Sequence, residues 1–99
     1  MRNAVRLGGR IVERQPLRFT PAGIPIVQLR LEHRSRLHEA GVERDVQAEV
    51  PATAAGPVAR RIEPLALGTL VEAAGFLARR GRNGRSFILH ITDFEIIED

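Results

Sequence analysis

The sequence predicts an all-β protein, a five-stranded Greek-key barrel with at most a short helix between its third and fourth strands. Three observations carry that expectation. Apolar residues recur at every second position in several segments, the spacing that lines one face of a strand. Glycine and proline separate those segments. The single alanine-rich stretch, residues 51–64, is interrupted by Gly56 and Pro57, which leaves room for one short helix. At 99 residues, 43% hydrophobic and 27% charged, the chain has the composition of an ordinary globule and the length for one core, so residues 1–99 are read as one domain.

The first strand, Asn3 to Glu13, sets Val5, Leu7 and Ile11 against Arg6 and Arg10. Gly8 and Gly9 inside it predict a bulge or sharp bend of the kind a barrel corner needs; a phosphate-cradling loop would require a following helix, and none follows. Residues 15–25 hold Pro16, Pro21, Gly23 and Pro25 and form a loop. The second strand, residues 26–35, places Val27, Leu29, Leu31 and His33 on one face and Gln28, Arg30, Glu32 and Arg34 on the other. A turn over residues 37–41 leads into a third strand at residues 42–50, where Val42, Val46, Ala48 and Val50 alternate with Glu43, Asp45, Gln47 and Glu49. Two such runs around a short glycine-containing connection make a hairpin.

The fourth strand, residues 67–78, carries Leu70, Val71, Ala73, Ala74, Phe76 and Leu77, a pattern that predicts burial on both faces. The fifth, residues 86–98, follows Asn83-Gly84, the strongest short hairpin signal in the chain. Five strands with an insert between the third and fourth is the order of elements in an OB-fold. In that fold nucleic acid lies on the second and third strands, framed by the loops joining strands one and two and strands four and five. The second of those loops contains RRGRNGR, residues 79–85, with four arginines and no acidic residue.

Net charge is +3, and all fifteen basic residues are arginine. Base composition of a genome can produce such a bias, so the information lies in where the arginines cluster. There are no cysteines, which removes disulfides, thiolate metal sites and a cysteine nucleophile together. The start lacks the apolar core of a secretory signal and no run approaches a membrane span, so a cytoplasmic protein without membrane contact is expected. His33 and His90 each stand alone and are read as packed or pairing histidines; no spacing for a metal or cofactor accompanies them. Ser35 is expected to project away from His33, so the two are not taken as a nucleophile and its base. With no phosphate loop either, the chain is read as no enzyme. Phe76, Phe87 and Phe94 are assigned to the core, and Phe19, in the first loop, is the one aromatic placed to stack on a base, although packing is the safer reading for it too.

PAGIP at residues 21–25, LEHRS at residues 31–35 and EAG at residues 39–41, followed by GF, NG and LH near the end, resemble the primosomal replication protein N (PriB) family, small relatives of single-stranded-DNA-binding protein in bacterial replication restart. The resemblance runs from Asn3 to Glu98. It implies an OB-fold homodimer that binds single-stranded DNA and stabilises the restart helicase on an abandoned fork, and it leaves room for a further restart protein. It also implies the DNA contacts. Arg34 and Arg44 match basic positions of the second and third strands, the basic character of the last loop falls on Arg79, Arg80, Arg82 and Arg85, and Arg14 and Arg18 occupy a first loop that is basic in the family. The chain departs from the family in lacking aromatics on the third strand, where it has Val42 and Val46-Gln47. Arginine-phosphate contacts are therefore expected to dominate the attraction.

Each basic position has a plainer reading. The last loop is equally a solvated hairpin tip when read alone, and Arg34 and Arg44 have Glu32, Glu43 and Asp45 as cross-strand partners. The fold and the resemblance favour DNA. The rival is an adaptor dimer whose main task is protein contact, with incidental DNA binding.

Overall fold

A computed structural model describes residues 1–98, which form β1 (Val5–Arg14), β2 (Arg18–Phe19), β3 (Pro25–Glu39), β4 (Val42–Ala55), α1 (Pro57–Ile62), β5 (Leu70–Arg79) and β6 (Phe87–Ile96). The five expected strands are β1, β3, β4, β5 and β6; β2 is a two-residue addition along β3. Neighbours run β1, β5, β6, β4, β3 and back to β1, which closes the five-stranded OB-fold barrel. Among the described residues only β4 and β6 pair in parallel.

Closure depends on β1 bonding on both sides. Its first half pairs with β5 and its second half with β3, and Arg10 faces both Leu70 and Glu32. The irregularity in the ladder falls at Val12, not at the glycine pair where the sequence predicts it. The glycine serves close approach instead: a Cβ on Gly9 would stand 3.1 Å from the Glu32 carbonyl oxygen and 3.2 Å from the Leu31 Cβ.

The interior is filled by the inward residues of the five barrel strands, led by Ile11, Val27, Leu31 and Leu89, which are almost wholly buried. Small residues complete it, with Ala52, Ala54 and Ala73 lying between the larger side chains. Helix α1 is too short to stand alone. It is fixed by burial of Val58, Ala59 and Ile62 and by Arg61, whose guanidinium lies 4.6 Å over the Phe94 ring and 3.0 Å from Asp93. The hydrogen bond from Arg61, helped by the Phe94 N–H, holds the Asp93 carboxyl below its ordinary range. A carboxyl lowered in the folded state stabilises it above the unfolded pKa, so this contribution is present at neutral pH and is lost as acid titrates the group. Among the described residues no helix is long and apolar enough to cross a membrane.

The hairpin of β3 and β4 is longer than the sequence reading, which ends its strands at Ser35 and Val50. Pairing continues without a break from Ile26 and Ala55 to Glu39 and Val42. Residues 51–55 thus belong to β4 and not to the helical insert. Pro51 is tolerated because the ladder to β6 starts only at Ala52, so the missing N–H falls where β4 borders β3 alone. The connection is two residues, Ala40 and Gly41, with φ of +54° and +76°, the left-handed pair that a type I′ turn demands.

The expected burial on both faces of β5 does not hold: Val71 and Ala73, on one face, are buried, Leu70 and Ala74 on the other are half-buried, and Phe76 and Leu77 reach the surface. The β5 to β6 register shifts between Ala74 and Gly75, leaving Thr92 as the extra residue of β6. There the strands press together, and a Cβ on Gly75 would stand 1.8 Å from the His90 carbonyl oxygen. The last hairpin lies where Asn83-Gly84 signals it, yet its tip is the loop of residues 80–86, not a two-residue turn.

Two substitutions test this account. Replacing Gly75→Ala forces methyl onto backbone and is expected to lower the melting temperature by about 10 °C or more. Replacing Ala40→Asn, a residue that accepts positive φ more readily, is expected to raise it by a few degrees, roughly 0.5 kcal/mol. Calorimetric scans of both variants check the two signs.

Candidate nucleic-acid interface

Strict alternation along the hairpin sorts its side chains onto two faces. The outer face presents Arg34 opposite Gln47, Glu32 opposite Glu49, Arg30 opposite Pro51 and Gln28 opposite Thr53. The Arg34 Nε lies 3.3 Å from Glu32, and the Arg30 Nε lies 3.5 Å from Glu13. Arg36, further toward the tip, is held by Asp45 at 2.7 Å and Glu43 at 2.9 Å. Exposed pairs of this kind are worth about 0.2–1 kcal/mol, little enough for a phosphate to compete for the arginine. Arg44 leaves the hairpin on the other face. It stands opposite Leu37 and pairs with Glu39, so Arg34 and Arg44 are not side by side.

The loops add the rest. Among the described residues, Arg79, Arg80, Arg82 and Arg85 are exposed and make no ion pair with a carboxylate. The loop is anchored where the Arg80 N–H donates to the Ser86 carbonyl at 2.8 Å. Arg80 then forms one wall of a cleft of about 70 Å³ whose other walls include Gln28, Arg30, Pro51 and Ile88. Ile88 belongs to the outer face yet is only 7% exposed, although it lies outside the core cluster. Arg30 is thus a basic residue of this face that the sequence reading leaves unassigned; its signal is the alternation that it shares with Arg34 on one strand. In the first loop, Arg18 is exposed in β2 opposite Ile26. Arg14 is half-buried and donates to the Leu65 carbonyl, which ties the end of β1 to the segment after α1.

The aromatic assignments divide. Phe94 is core, at 6% exposure. Phe76, 38% exposed, and Phe87, 64% exposed, are not. Phe76 points outward and stacks on His90, with 4.8 Å between ring centroids and 7° between planes. Phe87 opens β6 beyond the last layer of the core. Phe19 is exposed beneath the Arg60 guanidinium, 5.5 Å from its ring centroid.

His33 and Ser35 require a correction as well. They are two residues apart and therefore share a face, with the Ser35 Oγ 2.8 Å from His33 Nε2. The Gly8 carbonyl, 2.6 Å from Nδ1, can only accept, so Nδ1 carries a proton and donates to it. The imidazole thereby links β3 to β1. Among the described residues no three His, Cys, Asp or Glu side chains gather as a metal cluster. What the arrangement offers chemically is a polar outer face with arginines at its rim and a cationic loop beside it, a surface for a flexible polyanion.

Comparison with known proteins agrees with this chemistry. Residues 3–93 match a family model described as another single-strand binding protein family. The chain is 36% identical to replication restart protein PriB of Nitrosomonas europaea over 97% of its length and 89% of the relative's. It is 33% identical to the protein of that name from Erwinia tasmaniensis over 97% of its length and 94% of the relative's. Among solved structures it is similar to the protein PriB from Ralstonia solanacearum, with a TM-score of 0.89 and 34% identity over 99% of this chain and 100% of the other. It is also similar to the single-stranded DNA binding protein from Thermus aquaticus, with a TM-score of 0.78 and 25% identity over 98% of this chain and 50% of the other.

Proposed function

The chain belongs to the replication restart protein PriB family, among the single-strand binding proteins, and on that premise we propose that it is a single-stranded-DNA-binding accessory subunit of the replication-restart primosome, working without catalysis in the cytoplasm. The observation that carries this reading is the meeting of Arg30 with Arg80 at one cleft, with Arg34 on the same outer face and the other loop arginines alongside. The strand is gripped mainly through its phosphates, each contact releasing condensed counterions, and this grip holds the restart helicase on the DNA. Such contacts position a strand without reading its sequence. Arg44, on the far face of the hairpin, takes part when the strand rounds the hairpin.

The protein acts as a homodimer. Leu77 and Phe87 at the end of the barrel, and Leu37 and Val42 near the hairpin tip, continue the inward-facing register beyond the core as exposed apolar side chains. A second copy would cover surface that so small a domain leaves bare. The same side chains favour an adaptor as the second reading, in which the helicase is the main partner. Helicase affinity measured with and without DNA separates the two.

Titration with labelled oligo-dT over a salt series tests the mechanism. For single strands the log-log slope is about −0.7 per phosphate neutralised, so four to six contacts give roughly −3 to −4. Arg34→Ala, Arg30→Ala and the double change Arg80→Ala with Arg82→Ala are expected to weaken binding and flatten the slope while the melting temperature stays nearly constant. Arg44→Ala is expected to have the smaller effect. A slope near zero would show that stacking or hydrogen bonding, and not phosphate contact, dominates the binding, and dissociation constants unchanged in all variants would place the DNA elsewhere. Sedimentation checks the dimer: Phe87→Glu together with Leu77→Glu should shift the unaltered chain's dimer to an 11.0 kDa species.

A further inference from the structure

The arginine contacts leave one outward feature unused. Phe76 of β5 and His90 of β6 face each other across the sheet with parallel rings. Leu89 and Ile91, on either side of His90, are buried, so the ring pair belongs to the outside of the barrel. His90 also stands beside Thr53 of β4, and Thr53 stands opposite Gln28 of β3. Gln28, Thr53, His90 and Phe76 therefore make one row across four strands. The neighbouring row holds Arg30 and Pro51, at the cleft that Arg80 borders, and two residues of strand rise separate the rows by about 7 Å.

Beside the rings lies a cavity of about 430 Å³, bounded by Thr53, Pro57, Arg61, His90 and Thr92. That is within the usual size of a small-molecule site. Its one guanidinium is occupied, since Arg61 bonds the Asp93 carboxylate at 3.0 Å and the Phe94 carbonyl at 3.3 Å. The cavity thus presents flat rings and hydroxyls in place of free charge, and it suits a flat, neutral ring better than a phosphate.

We propose that the Phe76 and His90 pair is a base-stacking platform, taking one nucleobase of a single DNA strand whose phosphates lie on the adjoining Arg30 and Arg80. This rests on the DNA-binding reading above and adds to it a contact that depends on the presence of a base but not on which base. Every base has a π-face, so a stacking platform tolerates any sequence. The site stands in for the aromatics that β4 lacks.

The chain contains no Trp and no Tyr, so Phe76→Trp places its sole indole at the platform. Saturating oligo-dT is expected to quench that emission, and an abasic strand of equal length, bound to the same occupancy at low salt, is expected to leave it unchanged. Independently, His90→Ala and Phe76→Leu are expected to weaken oligo-dT binding about fivefold or more while sparing the abasic strand. The His90 variant decides the matter if substitutions at Phe76 unfold the protein. Emission indifferent to oligo-dT, or variants that bind oligo-dT as the unaltered chain does, would overturn the platform and leave phosphate binding standing. An unaltered chain that fails to bind oligo-dT would overturn both.

Discussion

Closing a five-stranded sheet on itself gives every strand a neighbour on both edges, and in this protein the ring is completed by β1, which divides its length between β5 and β3. The division falls near Arg10, where β5 and β3 lie on opposite sides of one residue. Its consequences spread through the fold. The enclosed space is narrow, so alanines share it with the branched side chains, and glycine is needed where backbones crowd at Gly9 and Gly75. His33 adds a side-chain bond to the Gly8 carbonyl at the place where β3 diverges from β1. Because the inner faces are consumed by closure, everything that can meet a partner lies on the outside of the sheet, at the loops, or on the part of the hairpin that outruns the barrel.

The outer face is arranged by alternation more than by clustering. Between the rows of Arg34 and Arg30 lies Glu32 directly opposite Glu49, two like charges on neighbouring strands. Such a pair is unfavourable in itself. Arg34 leans toward Glu32 and relieves part of it. A polyanion approaching this face meets cations at the rim and a locally acidic band between them, so the loop arginines, which make no ion pair with a carboxylate among the described residues, set the long-range attraction. The Debye length at physiological salt is about 8 Å, which confines that attraction to the immediate surface.

Much of this was legible in the sequence, for physical reasons that differ by residue. Val27, Leu29 and Leu31 alternate cleanly because β3 has one face in the core, and a period of two is a direct image of that condition. Residues 51–55 were hidden because alanine suits both a helix and a narrow barrel interior. Phe76 and Phe87 escape the core for different reasons: periodicity tells that a face exists but not which face is inward, and Phe76 is on the outer one, whereas Phe87 is in the inward register but lies beyond the end of the core. Arg30 carries no such signal in the sequence, since an isolated arginine alternating along a strand has the pattern of any solvated position. Arg14 looked like the other loop arginines, and only the fold brings the Leu65 carbonyl within its reach.

The pairing of β1 with β5 also has a meaning in time. Val5 faces Gly75, so β1 leaves the ribosome and waits for a partner made some seventy residues later. At about 5–20 residues per second that interval is roughly 4–14 s. Throughout it the edge of β1 that will meet β5 has only solvent or stray chains to bond with, the condition under which strands aggregate. Arg6 and Arg10, which flank the Gly8-Gly9 pair, then act as guards of the nascent chain, because charge and glycine together make a poor template for intermolecular sheet.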